Sequence, residues 1–79
     1  MTALLKLSEL AVGTQAVVRE FPKQGPAFLR LREMGLGEEQ RIRLVSRHPS
    51  LICQVCNARV ALSQDLAKAI LVEPLSKGR

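Results

Sequence analysis

The sequence predicts a mainly β domain, a small antiparallel barrel or tightly curled sheet of about five strands, with one short α-helix after the first strand. Three observations point there. Several short segments alternate apolar and polar residues with the period of two that a half-buried strand requires. Only one stretch long enough to matter repeats with a helical period. Turn-forming residues separate the middle segments closely enough for hairpins. With 79 residues there is room for one domain and one core, and 47% apolar residues suffice to build it. Phe21 and Phe28 are the sole aromatics, so that core must be aliphatic.

Taken in order, Ser8 is a candidate cap for a short turn, SELAVG, closed by Gly13. QAVVR, residues 15–19, is β-branched at its centre and reads as the first strand. FPKQGP is turn chemistry, and Pro26 suits a first helical turn, where its missing N–H costs nothing. The helix is expected over residues 27–34. Ala27, Leu31 and Met34 form its inner stripe, Phe28 widens it, and Arg30 and Glu33 point outward. Gly35 stops the helix by turning left-handed, and Leu36 folds back on the last turn.

From Gln40 the period changes to two. In RIRLVSR, Ile42 and Leu44 face one way and Arg41 and Arg43 the other. His48, Pro49 and Ser50 make a turn. Residues 51–56 form the next strand, with Leu51, Cys53 and Val55 on one face. Asn57 and Ala58 are expected to turn the hairpin, because Asn tolerates positive φ. Residues 59–63 form a strand with Val60 and Leu62 inside, residues 64–67 a helical turn, and residues 69–73 the last strand. The domain is read as 1–75 and the tail as 76–79.

These residues also carry a family resemblance. LSELAVGTQAVV, LRLREMGL, RIRLV and ICQVCNARVALSQDLAKAILV, spread over residues 4–74, resemble the FeoA family. The anchors are Leu7, Leu10 and Gly13; Arg30, Leu31, Glu33, Met34, Gly35 and Leu36; and Ala61, Leu62, Ala67 and Val72. The resemblance implies an SH3-like β-barrel that assists ferrous-iron uptake through the GTPase region of the membrane transporter FeoB and is not an enzyme. Three positions depart from the family pattern: Glu39 where glycine is usual after the helix stop, Asn57 at a common hairpin glycine, and Leu29 where a basic residue is frequent.

The residue chemistry agrees with a non-enzymatic reading. No Ser or Asp is placed to form a triad with His48, which precedes a proline in a turn. GLG lacks the lysine of a phosphate-binding loop. Glu38 and Glu39 are adjacent in a turn and read as helix-to-strand punctuation. No cofactor is expected. Cys53-x-x-Cys56 is a weak metal or redox candidate, because residues three apart in a strand face opposite ways and a structural zinc site wants four ligands. The absence of a signal-peptide pattern or a spanning run predicts a cytoplasmic chain that reaches the membrane only through a partner.

The net charge of +5 favours acidic partners. Among the arginines, Arg30, Arg32, Arg41, Arg43 and Arg47 stand out, since guanidinium groups bind carboxylates in a fork. The expected docking surface is an aliphatic patch of Phe28, Leu29 and Leu36 rimmed by Arg30, Arg32, Arg41 and Arg43. It would meet the transporter or a second copy of the chain. The alternative is a nucleic-acid-binding barrel. It is disfavoured because small barrels that read single strands stack bases on aromatic residues, and neither Phe is expected in a strand.

Overall fold

The computed structural model describes residues 3–75; the tail expected at 76–79 lies outside the described residues. Six strands form one antiparallel sheet: β1 (Leu5–Lys6), β2 (Gln15–Glu20), β3 (Arg41–Ser46), β4 (Leu51–Val55), β5 (Ala58–Leu62) and β6 (Leu71–Pro74). Helix α1 (Pro26–Glu33) follows β2, and the short α2 (Gln64–Lys68) follows β5. The sheet order is β1-β6-β2-β3-β4-β5. The middle strands thus run as a meander, and β6 returns beside β2.

The mainly β fold with a helix after the first long strand matches the sequence reading. One strand was missed. β1 has only two residues, too few to show an alternation, and it exists because Leu5 and Lys6 find Val72 and Leu71 on β6. The sheet curls without closing: β1 and β5 remain its edges. Two bulges promote the curl. Arg19 is the extra residue where β2 meets β6, and Val45 where β3 meets β4. An extra residue on one strand bends it and increases the local twist.

The curl encloses an aliphatic core. Ile42, Leu44, Cys53, Val55, Val60 and Val72 point inward from the strands, while Leu7, Leu10, Leu36 and Ile70 close it from the connections. No charged or polar side chain is buried among the described residues, which avoids the desolvation cost that such a group would bring to so small a core.

Several local expectations need correction. Ser8 does not cap the first turn. Leu7–Glu9 form a 3-10 turn with Lys6 at its start, and the Lys6 N–H donates to Glu9 Oε1 at 3.4 Å. Leu7 is drawn into the core, and the turn starts two residues earlier than a Ser8 cap would place it. The inner face of α1 is also narrower than expected. Leu31 is buried and Phe28 half-buried, but Ala27 and Met34 are exposed. The helix ends at Glu33, so Met34 (φ −88°, ψ 3°) has already left its path. Leu36 takes the inner position instead.

The helix stop itself is as expected. Gly35 has φ 102°. Its N–H donates to the Arg32 carbonyl and that of Leu36 to the Leu31 carbonyl, both at 3.0 Å. This is the paired-bond cap that satisfies the last helical carbonyls.

The β4–β5 hairpin turns one residue early, at Cys56 and Asn57, with Val55 opposite Ala58. Positive φ falls on Cys56 (55°) and not on Asn57. The last strand starts at Leu71, later than expected, because Ala69 caps α2. Pro74 lies within it, opposite Ala16. Proline is tolerated there because β1 pairs only with Leu71 and Val72, so no neighbour on that side needs its N–H.

Candidate functional site

The arginines singled out from sequence divide into two groups. Arg32 and Arg47 are used internally. The Arg32 guanidinium lies over the Phe21 ring, 5.0 Å from its centroid, and donates to the Pro22 carbonyl at 3.3 Å. Phe21 in turn meets Phe28 edge-to-face, with centroids 5.7 Å apart. These contacts fasten α1 to the loop before it. Arg47 donates to the Ser8 carbonyl at 2.6 Å and to that of Leu10, tying the end of β3 to the first turn.

Arg30, Arg41 and Arg43 form the second group. They are exposed, and among the described residues none makes an ion pair or a side-chain hydrogen bond. Strand alternation explains Arg41 and Arg43: with Ile42 and Leu44 pointing inward, the residues between them must face out. They line an open depression of about 300 Å³ together with Gln15, Ile42, Gln54 and Cys56. Register places Gln15 on β2 opposite Arg43, Arg43 opposite Gln54 on β4, and Gln54 opposite Arg59 on β5. A polar row thus crosses four strands on the outer face, with arginine at every second place. Two long donors and two amides in such a row suit carboxylates or other anionic groups.

The expected docking patch is not reproduced as one surface. Leu36 is fully buried, so it belongs to the core and not to a contact face. Phe28 is half-buried against Phe21. Leu29 is 57% exposed, but no residue of α1 lines the depression beside Arg41 and Arg43.

The two cysteines part, but not by strand alternation: β4 ends at Val55 and Cys56 lies in the turn after it. Cys53 points into the core, and burial pushes its thiol up to about 11, so it stays protonated near neutrality and is a poor nucleophile or metal ligand there. Cys56 is exposed at the hairpin tip. His48 is exposed in its turn.

Sequence reasoning missed two features. Arg59 joins the polar row only once the hairpin is placed at Cys56 and Asn57, since moving the turn one residue changes its partner across the hairpin from Cys56 to Gln54. Arg19 bridges two carboxylates, Glu73 through Nε and Glu39 through Nη1, each at 2.6 Å. The hydrogen bond to Glu73 is the main reason its guanidinium is held still more firmly protonated. Glu39 keeps the positive φ (68°) that a glycine would adopt and adds this ion pair.

Comparison with known proteins places the chain. A family model for the FeoA domain matches residues 5–74. The crystal structure of an iron uptake regulatory protein, FeoA, is 28% identical with a TM-score of 0.81, covering 92% of this chain and 100% of that one. The FeoA of Stenotrophomonas maltophilia was solved with zinc and described as a prokaryotic SH3 domain protein. It is 33% identical with a TM-score of 0.71, covering 86% of this chain and 88% of that one. A manganese-dependent transcriptional repressor is 23% identical with a TM-score of 0.79; the match covers 95% of this chain and 44% of the repressor, and shares the fold alone. No curated protein matches the chain by sequence. With nearly its whole length matched and its fold shared with FeoA structures, the chain belongs to the FeoA-domain family, a family of ferrous iron transport.

Proposed function

We infer that this chain is a cytoplasmic accessory of ferrous-iron uptake, without catalytic activity of its own, that acts by docking onto the soluble GTPase region of a FeoB-type membrane transporter. The observation that carries this reading is the FeoA-domain match over residues 5–74. The absence, among the described residues, of any helix long and apolar enough to cross a membrane is consistent with membrane access through a partner.

The outer face of β3 is the docking surface, with Arg41 and Arg43 as its charged contacts and Leu29 and Arg30 of α1 as a second contact. Charged groups at such a face steer encounter and set specificity, while apolar side chains supply the buried area. Leu36 has no part in it.

The test is binding of the purified chain to the transporter's cytoplasmic region, with and without guanine nucleotide. Saturable binding is expected. Arg41→Glu with Arg43→Glu should weaken it at least about tenfold, the effect of losing roughly 1.4 kcal/mol. No binding in either nucleotide state would refute the reading, and unchanged binding of the double variant would remove the β3 face from it.

A further inference from the structure

We propose that the open edge of β5 receives an extended, acidic segment of a partner protein, which adds to the sheet as a further antiparallel strand beside Arg59 and Ala61. β5 is the last strand in the sheet order, and among the described residues only β4 pairs with it. A two-residue turn makes Val55 and Ala58 a hydrogen-bonded pair, and antiparallel pairs alternate from there. Val60 and Leu62 therefore bond to β4, while the N–H and C=O groups of Arg59 and Ala61 point to the free edge. Ala58, Arg59 and Ala61 are exposed, so nothing within the described residues covers that edge.

The side chains specify what fits. On the outer face Arg59 ends the row Gln15, Arg43, Gln54, Arg59 and forms no ion pair among the described residues. An acidic residue on an added strand would stand next in that row, directly opposite a guanidinium. On the inner face Val60 and Leu62 continue the core to the edge, so the alternate residues of the added strand should be apolar. A segment alternating acidic and apolar residues satisfies both faces. A second copy of the chain is a poorer occupant, since two molecules of net charge +5 repel.

This proposal is independent of which protein carries the segment. If the transporter region fails to bind while the peptide below binds, the transporter reading falls and this one stands; the reverse result has the opposite meaning. The probe is a short, doubly capped peptide alternating glutamate and valine, titrated into the isotope-labelled full chain. Saturable amide shifts centred on β5 are expected. Arg59→Glu should weaken binding about tenfold, as should Ala61→Pro, which removes an edge N–H without touching the ladder to β4. A peptide N-methylated on its edge-facing amides should lose affinity to the same extent and does not depend on a variant that folds. No binding, shifts confined to Arg41 and Arg43, undiminished binding of the N-methylated peptide, or concentration-dependent pairing of β5 without peptide would each overturn the proposal.

Discussion

The meander β2–β5 and the segment 21–37 that carries α1 are held in place by different means. Each meander strand commits alternate residues to the core, and Val18, Ile42, Leu44, Cys53 and Val60 are at most 1% exposed. The helical segment has its aromatic contact between Phe21 and Phe28, the Arg32 guanidinium over the Phe21 ring, and two aliphatic residues, Leu31 and Leu36, that reach the core. Its other fastening is conformational, in the two left-handed glycines Gly25 and Gly35. The sheet therefore rests on burial spread over many residues, and the helix on a few particular groups. Loss of side-chain volume should be felt most in the sheet, and loss of backbone freedom most in the helical segment.

The largest expected effect breaks the sheet. Leu44→Ala removes a fully buried side chain and should cost about 2–5 kcal/mol, a large share of the roughly 5–15 kcal/mol that holds a domain together. Phe28→Ala, in the helical segment, deletes more atoms from a half-buried site and should cost less than Leu44→Ala. Denaturant midpoints of the two variants decide the matter. An equal or larger loss for Phe28→Ala would erase the distinction drawn above.

Gly35→Ala tests the conformational half. The nearest atom to a new Cβ is Val55 Cγ1 at 3.9 Å, so there is room for the methyl group and only φ 102° opposes it. A cost of about 1–3 kcal/mol is expected for holding an L-residue in so sparsely populated a region. Amide exchange should quicken through α1 more than through β3. A neutral substitution would mean that the helix stop does not depend on its glycine.

Acidity probes the core by a third route. Burial raises the Cys53 thiol from 9.0 to about 11. Above pH 9 the unfolded chain sheds a proton that the folded core retains, so stability is full below that point and falls as pH rises toward 11. The slope is at most about 1.4 kcal/mol per pH unit. Cys53→Ala should remove this part of the alkaline decline, as followed by urea unfolding at a series of pH values. In the native protein Cys56 should react quickly with a thiol reagent and Cys53 only on unfolding. Fast modification of both would place Cys53 outside the core.

What the sequence discloses follows the same division. Alternation located the meander strands and most of their inward residues, because a half-buried strand imposes a period of two whatever its neighbours. Gly35 and Leu36 were legible as a stop because the cap is a local backbone requirement. The placement of Met34, by contrast, depended on where the helix ended: the helix stops one residue earlier than expected, at Glu33, and Met34 is exposed. The polar row escaped because cross-strand neighbours are fixed by hairpin register. That register turned on whether Cys56 or Asn57 took the unusual conformation, and residue preference pointed to Asn57. The Arg19 bridge depends on a bulge and on two carboxylates distant in sequence, which no local pattern reveals.

The smallest predicted effect is the one that sharpens the hairpin. Cys56 holds φ 55° at its tip, in the left-handed region where a side chain costs an L-residue about 1–2 kcal/mol and glycine nothing. Its side chain is exposed, so little packing is lost on removing it. Cys56→Gly should therefore stabilise the protein by roughly 0.5–1 kcal/mol, the conformational gain less the extra freedom that glycine gives the unfolded chain. Asn57→Gly should give no such gain, since Asn57 is not among the positive-φ residues of the hairpin. If thermal midpoints rose for Asn57→Gly and not for Cys56→Gly, the turn would sit one residue later, Arg59 would leave the row with Arg43, and the outer face would have to be redrawn.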